Sequence, residues 1–421
     1  MMENKPEIRF QYNDEWNEKY ISQCANVKQG FPFDSKTYVK NGRYNIITIG
    51  NVGGDRYVRG IEETNKVLGL PEGIQNYQIL KENDILISMT GNVGRVSLNK
   101  GNNNLLNQRV DVLQKKENID GEFLFQRLCI PDFERQMNLN GQGAAQLNIS
   151  NSDIENYKIL VPSFDEQMDI SKCLSQFDEI IVNKNNKLKK TKLYKSSMLS
   201  KMFPKEGSLV PEIRFKEFVD EWNAALFGEN FEKLSNNSFS RDLLNYKNGD
   251  FKNIHYGDIL IKYGFSISVN DNVVPFINNE VEINQKQNDY LKTGDVVFAD
   301  TAEDTTAGKM VEIFNDNNIK VISGLHTYPC RPLIKFYKGF LGIMLNTPYF
   351  HNQLVPYMQG TKVTGFNYNY LCKINIVYPT IDEQEKIVSF FTNLDEMISN
   401  QEKEIETLEH LKKTLLNKMF A

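Results

Sequence analysis

Cysteine, histidine and tryptophan are all scarce in this chain of 421 residues. The five cysteines, Cys24, Cys129, Cys173, Cys330 and Cys372, are odd in number, scattered, and never spaced as Cys-x-x-Cys. That argues against a disulfide framework or a cysteine zinc site and fits a reducing compartment. The four histidines, at 255, 326, 351 and 410, form no cluster in the sequence, so no metal centre is expected. No apolar run reaches the roughly 18 residues of a membrane span, and none follows the start MMENKPEIRF as a signal peptide would. A cytoplasmic protein without membrane contact is expected.

The motifs of common catalytic sites are missing as well. There is no Gly-x-x-x-x-Gly-Lys-Ser/Thr phosphate loop, no His-Glu-x-x-His and no Gly-x-Ser-x-Gly. The glycines at 50–54 and 91–94 lack the spacing of a dinucleotide fingerprint, and the Asn/Asp-Pro-Pro-Tyr/Phe box of amino-methyltransferases does not occur. Pro131-Asp132 is followed by no Glu-x-Lys that would make a nuclease site, and reads as helix interior. A recognition or assembly subunit is expected, with no catalytic residue and no cofactor of its own.

What the chain does contain is a duplication. Residues 161–204 and 378–421 align without a gap at an offset of 217, with 14 of 44 positions identical. Pro-x-x-Asp-Glu-Gln opens each segment, at Pro162 and Pro379, and Lys-Met-Phe closes each, at Lys201-Met202-Phe203 and Lys418-Met419-Phe420. Pro6-Glu7-Ile8-Arg9-Phe10 with Trp16 likewise returns as Pro211-Glu212-Ile213-Arg214-Phe215 with Trp222. Weaker echoes join Leu80–Ile87 to Leu291–Phe298 and Gly141-Gln142-Gly143 to Met358-Gln359-Gly360. A self-similar frame of this kind marks an internal repeat. The middles have diverged, as two recognition surfaces on one scaffold would, although drift of solvent-facing loops gives the same appearance.

Both repeated segments start with proline and acidic residues and lack internal proline or glycine, which predicts long helices. Leu174, Phe177, Ile181, Leu188 and Met198 share one seam, interrupted by Lys184, Thr191 and Lys195. Phe391, Leu394, Ile398, Ile405, Leu408 and Leu415 share the other, interrupted by Gln401 and Lys412. A continuous helix from 165 to 202 extends nearly 57 Å at 1.5 Å per residue, and its stripe needs a partner helix. Residues 184–204 hold seven lysines and no acid, while 378–399 hold five acids and one lysine, which favours an antiparallel pair. A parallel pair would set part of the lysine run near Glu402, Glu404, Glu406 and Glu409. Each helix could instead join a separate bundle or dimerise with another chain.

Net charge is −5, and 1–160 and 205–377 are each slightly acidic, so charge neither demands nor excludes nucleic acid. The middles read as short β-branched runs at 44–49, 84–89, 109–113 and 295–299, with brief helices at 121–137 and 337–353. Their loops carry Asn51, Arg56, Tyr57, Thr90, Asn92, Arg95, Asn107, Gln108 and Arg109 in the first half. The second half offers His255, Tyr256, Lys262, Tyr263, His326, Thr327, Tyr328, Gln359 and Lys362, with Thr361 between the last two. Asn, Gln, Arg and Lys can pair with purine edges, while Tyr and Thr complete phosphate and methyl contacts. Taken singly, such residues more often serve turns.

Two divergent domains, each followed by a long helix opening Pro-x-x-Asp-Glu-Gln, resemble the specificity subunit of Type I restriction-modification enzymes. Ser323-Gly324-Leu325-His326-Thr327 and Gln359-Gly360-Thr361-Lys362 add to the resemblance, which spans essentially the whole chain. It implies an α+β chain of two tandem pseudo-symmetric α/β target-recognition domains, 1–160 and 205–377. These are separated by conserved helical spacers, 161–204 and 378–421, forming an intramolecular antiparallel coiled coil. Each domain would read half of an asymmetric bipartite site in double-stranded DNA, and the helices would set the spacer. Asp165, Glu166, Gln167, Asp382, Glu383 and Gln384 would help dock two modification (methyltransferase) subunits. S-adenosylmethionine, ATP and Mg would be used by those and by restriction (translocase and nuclease) subunits. A coiled-coil adaptor with two protein-binding domains is a rival reading, and an enzyme with an unrecognised active site a second.

Overall fold

The computed structural model describes residues 6–141, 147–284, 286, 289–317, 319–360 and 362–420. Gln142, Gly143 and Thr361, noted above for their motifs, lie outside them. Contacts divide the chain into two compact units, residues 1–187 with 401–421 and residues 188–400. Each unit therefore combines one α+β domain with parts of both long helices, Phe164–Lys201 and Ile381–Phe420.

The first unit contains β1 (Asn17–Tyr20), β2 (Ala25–Gln29), β3 (Tyr44–Ile47), β4 (Lys66–Val67), β5 (Ile79–Leu80), β6 (Ile85–Ser88), β7 (Val96–Leu98), β8 (Asn104–Leu106), β9 (Val110–Lys115) and β10 (Lys158–Val161). They form sheets of order β2-β9-β6-β7 and β4-β3-β8-β5, plus the antiparallel pair β1-β10. The second unit contains β11 (Asn223–Leu226), β12 (Phe231–Lys233), β13 (Leu244–Asn245), β14 (Lys252–Ile254), β15 (Ser266–Ser268), β16 (Phe276–Ile277), β17 (Val296–Ala299), β18 (Thr301–Ala302), β19 (Met310–Phe314), β20 (Val321–Ser323), β21 (Thr327–Pro332), β22 (Thr364–Gly365) and β23 (Asn375–Tyr378). Its main sheet, β12-β21-β17-β19-β15, repeats the first with one strand added, and β11-β23 repeats β1-β10. The parallel pair β3-β8 returns as β14-β20.

The expected strands appear where short β-branched runs end in Gly or Asn. The turn before β6 uses Asn83 at φ 64°, and the turn before β17 uses Gly294 at φ 92°. In each, the next residue's carboxylate accepts from a backbone amide: Lys81 N to Asp84 at 2.7 Å and Lys292 N to Asp295 at 2.8 Å. The faint echo between 80–87 and 291–298 is thus one turn built twice. The helices expected at 121–137 and 337–353 are each broken in two, with second pieces Pro131–Asn140 and Pro348–Leu354. Proline lacks an amide hydrogen and suits a first helical turn, so each starts a new helix rather than continuing the old.

The repeated signatures converge in each unit on one buried joint. In the first unit, Glu166 is fully buried and binds the Arg9 guanidinium at 2.7 and 2.8 Å. Gln167 accepts from Asp120 N at 2.9 Å and donates to Pro162 O at 3.1 Å. In the second, Glu383 binds Arg214 twice at 2.7 Å, while Gln384 accepts from Tyr337 N at 2.9 Å and donates to Pro379 O at 2.9 Å. This corrects the expectation that Glu166, Gln167, Glu383 and Gln384 face a partner. All four are buried and bonded within the chain, and only Asp165 and Asp382 of the six are exposed.

The Lys-Met-Phe ends close the same joints. Met419 and Phe420 lie in the first unit's core, with Phe420 6.2 Å from Trp16 and 5.6 Å from Phe123, ring to ring. Met202 and Phe203 lie in the second unit's core, with Phe203 5.6 Å from Trp222 and 6.2 Å from Phe340. Ile8 N donates to Lys418 O at 3.0 Å, and Ile213 N to Lys201 O at 2.9 Å. Burial of each Met or Phe side chain contributes about 1.5–3 kcal/mol, which explains why so short an ending is kept. Each unit's joint therefore takes its helix start from one repeat and its helix end from the other.

The long helices run antiparallel. In the first unit Asp178 meets Lys412 at 2.6 Å and Lys184 meets Glu404 at 2.5 Å, so residue numbers rise on one helix as they fall on the other. In the second unit Lys195 pairs with Asp395, the Lys412–Asp178 pair shifted by 217 in each helix. The lysines that interrupt the seams are thus pairing positions.

Candidate nucleic-acid interface

In the first unit the loop residues separate into supports and exposed groups. Asn51 is buried, accepts from Thr48 N at 2.8 Å and donates to Arg59 O at 2.8 Å, holding the 48–59 loop together. Arg56 binds Glu122 through both nitrogens at 2.6 and 2.9 Å and Asp178 at 2.8 Å, with its guanidinium lying beside the Tyr57 and Phe125 rings. Burial alone would weaken its charge, yet these carboxylates raise its pKa above the ordinary arginine value. Thr90 is buried and bridges to Asn148. Asn51, Arg56 and Thr90 are corrected to structural roles, since all three side chains are shielded from water and those of Asn51 and Arg56 are already bonded.

Exposed groups cluster at the end of the main sheet where β6 stops and β9 starts. Gln108 and Arg109 are exposed and Asn107 half-buried. Met89 N donates to Arg109 O at 3.1 Å, Gln108 N to Phe31 O at 2.9 Å, and Phe31 bridges Asn107. Asn92 is exposed in the neighbouring turn, and half-exposed Arg95 pairs with Glu134 at 3.1 Å. Tyr57 bridges to Leu98, with Lys100 4.6 Å above its ring. Beneath this end, Asp111 is fully buried with both carboxylate oxygens lacking hydrogen-bond partners, and burial pushes its pKa up to about 7.

In the second unit the equivalent sheet end gathers most of the predicted residues. His255 stacks on Tyr256 at 4.8 Å, and Tyr256 stands edge-on to His326 at 5.5 Å. Buried His255 accepts from Gly257 N at 3.1 Å; burial, then the nearby Arg241 charge, lowers its pKa. Lys262 reaches the Tyr246 hydroxyl at 2.8 Å and Asp258 at 3.0 Å. Gln359 pairs through its backbone with Gly365, and Lys362 is exposed nearby. Tyr328 donates to Phe366 O at 3.1 Å and lines, with Asp300, Tyr357, Gln359 and Tyr370, a recess of about 340 Å³. His255, Tyr263 and Thr327 are corrected to structural roles, His255 being buried with its Nδ1 taken by the Gly257 amide. Tyr263 is buried in a core cluster, and Thr327 is fully buried and donates to Gly324 O at 2.5 Å.

Sequence reasoning passed over Arg241 and Asp300. Arg241 binds Asp258 at 2.7 and 2.9 Å and lies 3.3 Å from His255 Nδ1. Burial pushes the Asp258 carboxyl up, but hydrogen bonds from Arg241 and Lys262 outweigh it and hold the pKa below the usual carboxylate range. Only the pairing of 241 with 258 makes Arg241 visible, and no spacing rule supplies that pairing. Among the described residues no cluster of His, Cys, Asp or Glu suits a metal ion, and no helix is long and apolar enough to cross a membrane.

The model of the Type I restriction modification DNA specificity domain matches residues 13–191 and again 221–410. The chain belongs to this family of Type I specificity subunits. Relatives include the Type I restriction enzyme MjaVIII specificity subunit of Methanocaldococcus jannaschii, 26% identical over 82% of this chain and 79% of that protein. The putative MjaX specificity subunit of the same organism is 21% identical over 94% of this chain and 87% of its own length. Among solved structures, the S subunit of a Type I restriction-modification system from M. genitalium superimposes with a TM-score of 0.57. It is 17% identical and both chains are 99% covered. A chain from a study of complex assembly and conformational transition in the Type I system gives 0.56 at 15% identity, covering 98% of this chain and 99% of that one. These likenesses confirm the specificity-subunit fold, two α/β domains with two long antiparallel helices. As a specificity subunit the chain serves DNA target recognition rather than catalysis.

Proposed function

We propose that this specificity subunit directs an adenine-N6 methyltransferase and ATP-dependent endonuclease to an asymmetric bipartite site in double-stranded DNA. Domain 1–160 reads one half-site and domain 205–377 the other, mainly through the major groove, while the helices hold the unspecified spacer between them. Readers of one groove face must stand about one turn of DNA, roughly 34 Å, apart, and helices of this length suit that task. The observation that carries the reading is one frame built twice beneath sheet ends that differ. Both joints, both helix pairings and both main sheets repeat, whereas the exposed groups at the sheet ends do not.

Two modification subunits dock on the helices and adjoining domain surfaces, and restriction subunits join that complex. With most of the Asp-Glu-Gln residues buried, docking falls to Asp165, Asp382 and other exposed helix positions. Ile180 and Met397 are equivalent across the duplication and both exposed, as are Tyr194 and Leu411. Matched exposure at matched positions is what two copies of one partner require. Those partners use S-adenosylmethionine, ATP and Mg, and the methyltransferase accepts the adenine swung out of the duplex. Exchanging residues 1–160 for those of another member, then sequencing methylated DNA, tests the reading: only one half of the modified sequence should change. Change in both halves, or in neither, overturns it.

A further inference from the structure

The duplication sets one exposed residue of each half at the same point of the main sheet. Arg109 stands just before β9 and His326 just before β21, separated by the offset of 217 that relates the long helices. Met89 N donates to Arg109 O at 3.1 Å, and Asp300 N to His326 O at 3.1 Å, so the backbones are held alike. The side chains beyond them differ in freedom. No ion pair engages Arg109 among the described residues, whereas Arg9, Arg56, Arg59, Arg95 and Arg135 each hold a carboxylate. His326 has φ 55°, sets Nδ1 3.3 Å from Asp300, and packs its ring edge-on to Tyr256.

We propose that Arg109 and His326 are specificity-determining residues at matching positions of the two half-sites. Arg109 reads a guanine, because a free guanidinium fork is the group that donates twice to guanine O6 and N7. His326, with one nitrogen facing Asp300, offers only Nε2 to a base, so its position discriminates less. The half-sites therefore differ where the scaffold is most alike. This deepens the specificity-subunit reading and rests on it.

Binding of the assembled methyltransferase complex to duplexes randomised over both half-sites reads the preference at each position, even when affinity falls. The wild type enriches guanine at one position of the first half-site by about 10- to 100-fold. Arg109→Ala and Arg109→Lys both abolish that enrichment alone, because lysine keeps the charge but lacks the fork. His326→Ala changes one position of the other half-site, and by less. Guanine retained in both Arg109 variants, or a uniform loss of affinity with every preference unchanged, overturns the proposal while leaving the specificity-subunit reading intact. Loss of all preferences in an assembled variant also overturns it, and a wild-type complex that enriches no sequence removes both.

Discussion

Replacing Glu166 with alanine tests whether the Pro-x-x-Asp-Glu-Gln motif is an internal joint. The carboxylate has no exposed surface and takes two guanidinium bonds from Arg9, at 2.7 and 2.8 Å, while the Arg9 side chain is itself only 14% exposed. Removing one partner of a shielded pair leaves the other charge without compensation, which costs about 3–5 kcal/mol. For a unit of roughly 200 residues each kcal/mol lowers Tm by about 2–4 °C, so the first transition should fall by roughly 6–20 °C. Differential scanning calorimetry of the chain measures this directly. The double variant Arg9→Met/Glu166→Leu should recover much of the loss, because it removes both charges and keeps apolar volume. At temperatures well below the lowered Tm, affinity for the methyltransferase subunit should stay within a few fold of wild type. An unchanged Tm together with lost methyltransferase binding would refute the joint and restore the motif as a docking surface.

Two further outcomes follow from other residues. Burial raises the Asp111 pKa to about 7, well above the unfolded carboxylate value, so its folded form holds a proton that its unfolded form releases. Stability from this group is complete below about pH 4 and declines as pH rises toward 7, by about 4 kcal/mol in all. Denaturant titrations across this range should show Asp111→Asn gaining on the wild type until about pH 7 and level beyond it; parallel curves would contradict the assignment. Inserting about one heptad at a matched level of both long helices should lengthen the permitted spacer without altering either half-site. An unchanged spacer in methylated DNA would rule out that the helices set it.

The frame was legible in the sequence because duplication shows the same solution twice. Proline, acidic first turns and the absence of internal proline or glycine announced the long helices, while the opposed charge runs only favoured their antiparallel pairing, in which Lys184 meets Glu404, an acid that a parallel pair also offered. What the motifs bind was not legible. Glu166 and Gln167 look like surface residues until Arg9 and the Asp120 amide, far away in sequence, are brought against them. Arg56 likewise read as a DNA contact because its partners Glu122 and Asp178 lie 66 and 122 positions away. Lys195 and Lys412 looked like seam defects because a heptad pattern reports one helix, whereas an interhelical ion pair belongs to two. The sheet-end loops stood out in the sequence as a region rather than residue by residue. Turn chemistry marks where strands end, but it does not separate the asparagine that holds a loop, Asn51, from an arginine that protrudes from one, Arg109.

The crossed origin of each joint bears on ancestry. A single repeat ending near residue 204 would carry Trp16, Arg9 and Glu166 but not the Met419 and Phe420 that fill the space beside them. It would, however, carry Met202 and Phe203, shaped for an equivalent space around Trp222. A lone repeat could complete such a core only by taking the tail of a second copy, as each joint of this chain takes the tail of the other repeat.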